Sequence, residues 1–167
     1  MTRAVVHFML RFLIVHTVVY FLIHGISYEW YLSIWYSNPD SNVSSFMRNP
    51  DDSRVWAHVW RWILPAQILR GVFLSLAFTP FYIYLMQMTR SKRFLVIAFI
   101  LFFIGGLGTY IPGPGSVEGL LHMHPDLGLG FHLAFQPIVL IESFLTAGFI
   151  ALWMGPKRIS QDLIKHT

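Results

Sequence analysis

WILPAQILRGVFLSLAFTPFYIYL, residues 62–85, is an apolar run with one arginine, Arg70, near its middle. At the α-helical rise it extends about 36 Å, enough to cross a hydrocarbon layer of about 30 Å. A guanidinium keeps its charge in a protein. At the centre of a bilayer it costs about 2.5–3.5 kcal/mol even on lenient insertion scales. Arg70 therefore requires a partner. The one carboxylate inside another apolar run is Glu142, in FHLAFQPIVLIESFLTAGFIALWM, residues 131–154. The expectation is a buried Arg70–Glu142 ion pair that sets how the helices pack and marks a polar site.

Composition extends this reading to the whole chain. Of 167 residues, 55% are hydrophobic and 12% charged, against about 25% charged in an ordinary soluble domain. That deficit, spread over several long apolar runs, predicts an all-α integral membrane protein: four transmembrane helices in one compact bundle, a single domain. The predicted helices cover about residues 4–27, 56–88, 94–111 and 131–154. Residues 28–55 and 112–130 are the outer connections, 89–93 a cytoplasmic turn and 155–167 a cytoplasmic tail. The first run is too long for a signal-peptide core of about 7–15 residues and ends without a small-x-small cleavage site. The absence of cysteine excludes disulfides, thiolate metal sites, cysteine nucleophiles and iron–sulfur clusters.

Orientation follows from Lys and Arg. Arg3, Arg11, Arg90, Lys92, Arg93, Lys157, Arg158 and Lys165 fall on one side, eight of the twelve. Arg48, Arg54 and Arg61 fall on the other, with Glu29, Asp40, Asp51, Asp52, Glu118 and Asp126. Both termini are thus expected in the cytoplasm, with the chain multi-pass in a bacterial-type plasma membrane. The net charge of +4 is accounted for by this asymmetry, and nucleic acid is not an expected partner. The bilayer is, together with a membrane-protein partner or a second copy of the chain.

The polar residues of the apolar runs fall on helix faces. His16, Thr17, Tyr20, His24 and Ser27 share one face of the first helix, which is expected to point inward, while Arg3, His7 and Arg11 lie elsewhere, near its start. YEWYLSIWY, residues 28–36, suits a headgroup interface, and SNPDSNVSSFMRNPDDS, residues 37–53, reads as loop. Asn42-Val43-Ser44 is a glycosylation tripeptide of a kind common by chance. In the second helix Pro65 is expected in the first turn and Pro80 at a kink, and Gln67 neighbours Arg70. Gly105, Gly106 and Gly108 in the third helix permit close backbone approach. In the fourth, His132, Gln136, Glu142, Ser143 and Thr146 fall within about a third of the circumference. The predicted buried polar site is Arg70, Glu142, Glu118, His16, Gln67 and Gln136.

The second outer connection adds two candidate features. In Pro112-Gly113-Pro114-Gly115-Ser116, Gly113, Gly115 and Ser116 are the candidates for presenting backbone N–H groups to an anion, with a helix start at Val117 capped by Ser116. The plainer reading is a tight turn into the last helix. His122, His124, His132 and Glu118 are a weak candidate metal set, since their spacing matches no established zinc signature. Three functions are compatible with these residues. The first is small-molecule or lipid binding, transport accessory or complex assembly through a cavity open to the outer face. The second is a membrane-embedded enzyme with Glu118 or Glu142 and a histidine as acid and base and Arg70 stabilising an anion. The third is haem or quinone electron transfer through His24 and His132. None of the motifs identifies a cofactor or a reaction.

Overall fold

The computed structural model describes residues 3–36, 48, 52–108, 116 and 128–155. Every secondary-structure element among them is helical. Helix α1 is Arg3–Ser27; it continues without a break through a π-helical turn, Tyr28–Leu32, into a short α2, Ser33–Tyr36. Helix α3 is Ser53–Phe78, followed by a 3-10 turn, Thr79–Phe81, and α4, Tyr82–Gln87. Helix α5, Arg90–Phe99, runs into a π-helical segment, Ile100–Leu107, and α6 is Gly128–Trp153.

Three boundaries differ from expectation for identifiable reasons. The outer connection predicted from residue 28 begins as helix, because YEWYL and SIWY contain no glycine or proline to stop α1. Helix α3 starts at Ser53, ahead of the expected Trp56, because Asp52 caps it: its carboxylate accepts from the N–H groups of Arg54 and Val55 at 3.0 and 3.3 Å. Pro65 consequently lies inside α3, well past the first turn. Pro80, expected at a kink, sits in the 3-10 turn, a local change of helix type at a residue that cannot donate to the ladder. The basic turn is also the start of α5. Thr89 Oγ1 caps it by accepting from Lys92 N–H, so Arg90–Arg93 is first-turn helix rather than connection.

Among the described residues, three stretches are long and apolar enough to cross a membrane: Arg3–Trp30, Ser53–Gln87 and His132–Trp153. The stretch through α5 begins with Arg90, Lys92 and Arg93. Its described apolar part, residues 94–107, extends only about 21 Å at helical rise.

Packing is antiparallel and centred on α1, which lies between α3 and α6; α6 also carries α5 and its π-helical continuation. Phe12 meets Phe78 with ring centroids 5.1 Å apart, and Phe8 meets Tyr82 at 5.3 Å, joining α1 to the α3–α4 side. Phe94 packs edge-on to Phe144 between α5 and α6. Glycines set two close approaches. A Cβ on Gly71 would meet Leu13 Cα at 3.3 Å, and one on Gly106 would meet Val139 Cγ1 at 2.6 Å. Gly105 and Gly108 make no such approach to a neighbouring helix.

The outward surface is apolar. Val6, Leu10, Ile14, Val18, Leu22 and Ile26, four residues apart along α1, are all exposed, while Phe8, Phe12, Val15, His16 and Val19 on its other side are buried. The buried face thus contains a histidine and the exposed face is aliphatic, the reverse of a helix on a water-facing surface. The beginning of α1, the turn at Met88 and Thr89, and the end of α6 lie at one end of the bundle. Arg11 donates to the Trp153 carbonyl there, and Arg93 bonds to carbonyls of α4, Met88 and α6.

Candidate functional site

His16 and His24 lie on one face of α1, two turns apart with Tyr20 between them. Tyr20 stacks on the His24 ring with centroids 4.0 Å apart. Glu142 reaches both histidines from α6. His24 Nε2 donates to Oε2 at 3.2 Å, and Oε1 stands 3.8 Å from His16 Nδ1. Only 8% of Glu142 and 2% of His16 are exposed. A carboxylate at that depth is tolerable only when its lone pairs are engaged, and here each oxygen faces an imidazole.

Arg70 comes from α3. Gly71 beside it brings the α1 backbone close, which places His16 against α3. Gln67, one turn earlier, is buried next to His16, and its Oε1 meets no hydrogen-bond partner of good geometry among the described residues. Arg70 itself is exposed. It lines, with Glu142, His16 and His24, a cavity of about 260 Å³ whose remaining walls include Leu101, Gly105 and Gly106 of the π-helical segment and Val139, Ser143 and Thr146 of α6.

The expected pair is therefore corrected. Arg70 and Glu142 face the same cavity, but no ion pair within 4 Å links them among the described residues. Two histidines on α1, closer than Arg70, engage the carboxylate, and the guanidinium stays at the exposed side. Its charge still acts through space on Glu142, His16 and Tyr20.

The other predicted residues divide. Ser116 is buried and lines the cavity. Gln136 is half-buried on α6, outside the cavity lining. Glu118, Gly113, Gly115, His122 and His124 lie outside the described residues, as do the Asn42 tripeptide and the tail beyond 155. His132 is buried. It precedes Glu142 by ten residues, about 15 Å along α6. His24 is held at Glu142, so the structure does not bring His24 and His132 together as a haem would require. Among the described residues no group of three or more histidine and acidic side chains is arranged to hold a metal ion.

One buried charge was not expected. Arg93, placed by the sequence among surface charges at a basic turn, is fully buried with 0% exposure. Its Nε donates to Leu85 O at 2.8 Å, Nη1 to Ala151 O at 3.2 Å and Gly155 O at 3.0 Å, and Nη2 to Met88 O at 3.3 Å. These carbonyls close α4 and α6, where the last turns leave acceptors unpaired and the helix dipoles favour a cation. Arg93 thus clamps two helix ends with no carboxylate partner among the described residues. A signal existed: Arg93, Ile97 and Leu101 are spaced by four and form the buried stripe of the α5 stretch. Arg11 plays a lesser version of this part, donating to Trp153 O at 3.0 Å with its guanidinium 5.5 Å from the Trp153 ring centroid.

No known protein family, curated protein or solved structure matches the chain.

Proposed function

We propose that the chain is a multi-pass protein of a bacterial-type cell membrane, with four spans and both termini cytoplasmic, whose polar cavity opens to the outer face and binds a small anionic group. The fourth span is the α5 stretch with its π-helical continuation, which packs against α6. The aliphatic stripe of α1 and the collection of Lys and Arg at the end of the bundle that holds residues 3 and 155 support the membrane placement. Lipid, a partner helix or a second copy of the chain covers that stripe.

The observation that carries the binding role is the division of charge in the cavity. Glu142 is engaged by His24 and His16, whereas Arg70 lines the same space with no ion-pair partner among the described residues. An arginine at membrane depth is costly unless it meets an anion. Its planar fork suits a carboxylate or a phosphate oxygen pair. Ser143 on the opposite wall supplies a hydroxyl. A transport-accessory or assembly role would use the same site.

A second reading, a membrane-embedded enzyme, is favoured by the His24–Glu142 hydrogen bond, since a carboxylate-oriented imidazole is the arrangement of a general base. In that case Arg70 would stabilise the developing anion.

The chain has no cysteine, so Ser143→Cys provides a single thiol on the cavity wall. The expected result is modification by a membrane-impermeant thiol reagent added from outside, with protection by acetate, and loss of protection when Arg70→Gln is added. Modification only from inside, or acetate protection that survives Arg70→Gln, overturns the proposal.

A further inference from the structure

The polar cavity adjoins a second chamber. Between the outer halves of α1 and α3 lies a groove of about 550 Å³, walled by Tyr20, Phe21 and Tyr28 on one side and Trp56, Trp60 and Ile63 on the other. His24 is hydrogen-bonded to Glu142 and stacked on Tyr20, and its ring borders both spaces.

We infer that cavity and groove together bind one small organic anion with an aromatic body, its acid group at Arg70 and its ring among the aromatic side chains. This rests on the reading of Arg70 as an anion site.

Size makes the first argument. At about 30 Å³ per water molecule, the polar cavity has room for about eight or nine waters. Small-molecule sites span about 300–1,000 Å³; the cavity alone falls just short of that range, and cavity and groove together fall within it. Direction makes the second. Ile63 and Arg70 are seven residues apart, nearly on one line along α3 and separated by about 10 Å. An occupant of that length carries its charge deep and its apolar end toward the outer interface. A bilayer lipid has the opposite polarity, which excludes an ordinary lipid as occupant. Space makes the third. Gly25 lines the groove, and a Cβ built there would meet nothing within 4 Å. Arg48 and Glu29, both exposed, are also on the groove wall.

The test is titration calorimetry on the full chain in phosphatidylcholine nanodiscs, with acetate, 4-phenylbutyrate and 4-phenylbutylamine as probes. The expected result is 4-phenylbutyrate binding about tenfold or more tighter than acetate, with no saturable binding of the amine. Gly25→Leu, which fills the groove, should reduce 4-phenylbutyrate to the affinity of acetate and leave acetate unchanged. Trp60→Ala, at a largely exposed ring, should weaken 4-phenylbutyrate alone. Arg70→Gln should weaken both acids. Equal affinities for the two acids, or indifference of 4-phenylbutyrate to both groove variants, overturns the inference and leaves the anion site standing. Absence of acid binding, or indifference to Arg70→Gln, removes the anion site and the inference with it. Tighter binding of the amine than of the acid overturns both.

Discussion

Glu142 takes His24 as its hydrogen-bond partner, Nε2 to Oε2 at 3.2 Å, although Arg70 lines the same cavity. This relationship assigns the two charges different work. The carboxylate ties α6 to α1 through the His24 imidazole, with His16 Nδ1 3.8 Å from its other oxygen. The guanidinium on α3 is left to face the cavity.

Arg93 is expected to contribute more to stability than any other charged residue. Arg93→Met would take the side-chain donor from the carbonyls of Leu85, Met88, Ala151 and Gly155, of which Leu85 O keeps the Met88 N–H at 3.3 Å. Leaving a buried acceptor without its partner costs about 1–3 kcal/mol. Arg93→Lys should rescue little, because an ammonium has three donors on a point and cannot span acceptors on two helices. Unfolding in detergent micelles measures both variants.

Gly106→Ala should destabilise by about 1–3 kcal/mol, the range for overpacking a tight contact. Its new methyl would stand 2.6 Å from Val139 Cγ1, and the branched valine has little χ1 freedom on a helix to move away. Val139→Ala in the same chain should recover most of the loss. Gly105→Ala, which meets no neighbouring helix, should be close to neutral by the same unfolding measurement.

Sidedness is checked with single cysteines in the cysteine-free chain. Lys92→Cys, in the first turn of α5, should react with an impermeant thiol reagent only from the cytoplasmic side. Arg61→Cys, in the outer part of α3, should react only from outside. The same sidedness for both positions would exclude the proposed passage of α3 and α4 across the membrane.

Much of the helical plan was legible because apolar length and polar punctuation are local properties. The inward face of α1 with His16 and His24 followed from 3.6-residue periodicity, and Glu142 stood out as a carboxylate within an apolar run. The partner of Glu142 was not legible. Charge alone favours Arg70, but the outcome depends on which side chains the α1–α6 and α1–α3 packings bring within 4 Å. Gly71 decides that by admitting α1 close to α3. Arg93 was misplaced for a related reason. A basic residue beside a turn ordinarily faces water, and only the register of Ile97 and Leu101 shows that it belongs to the buried stripe. The helical continuation of α1 through residues 28–36 was hidden because aromatic interface residues are equally common in loops and helices.

The most direct measurement of the central relationship is a pair of double-mutant cycles on unfolding free energy in mixed micelles. One combines His24→Gln with Glu142→Gln, the other Arg70→Gln with Glu142→Gln. The geometry predicts a coupling of about 1–2 kcal/mol for His24–Glu142, as for a charge-assisted hydrogen bond. For Arg70–Glu142, which act on each other through space without a direct ion pair, it predicts a smaller coupling than for His24–Glu142. A larger coupling for Arg70–Glu142 than for His24–Glu142 would contradict it, since Arg70 would then be spent on Glu142 and not free for an anion.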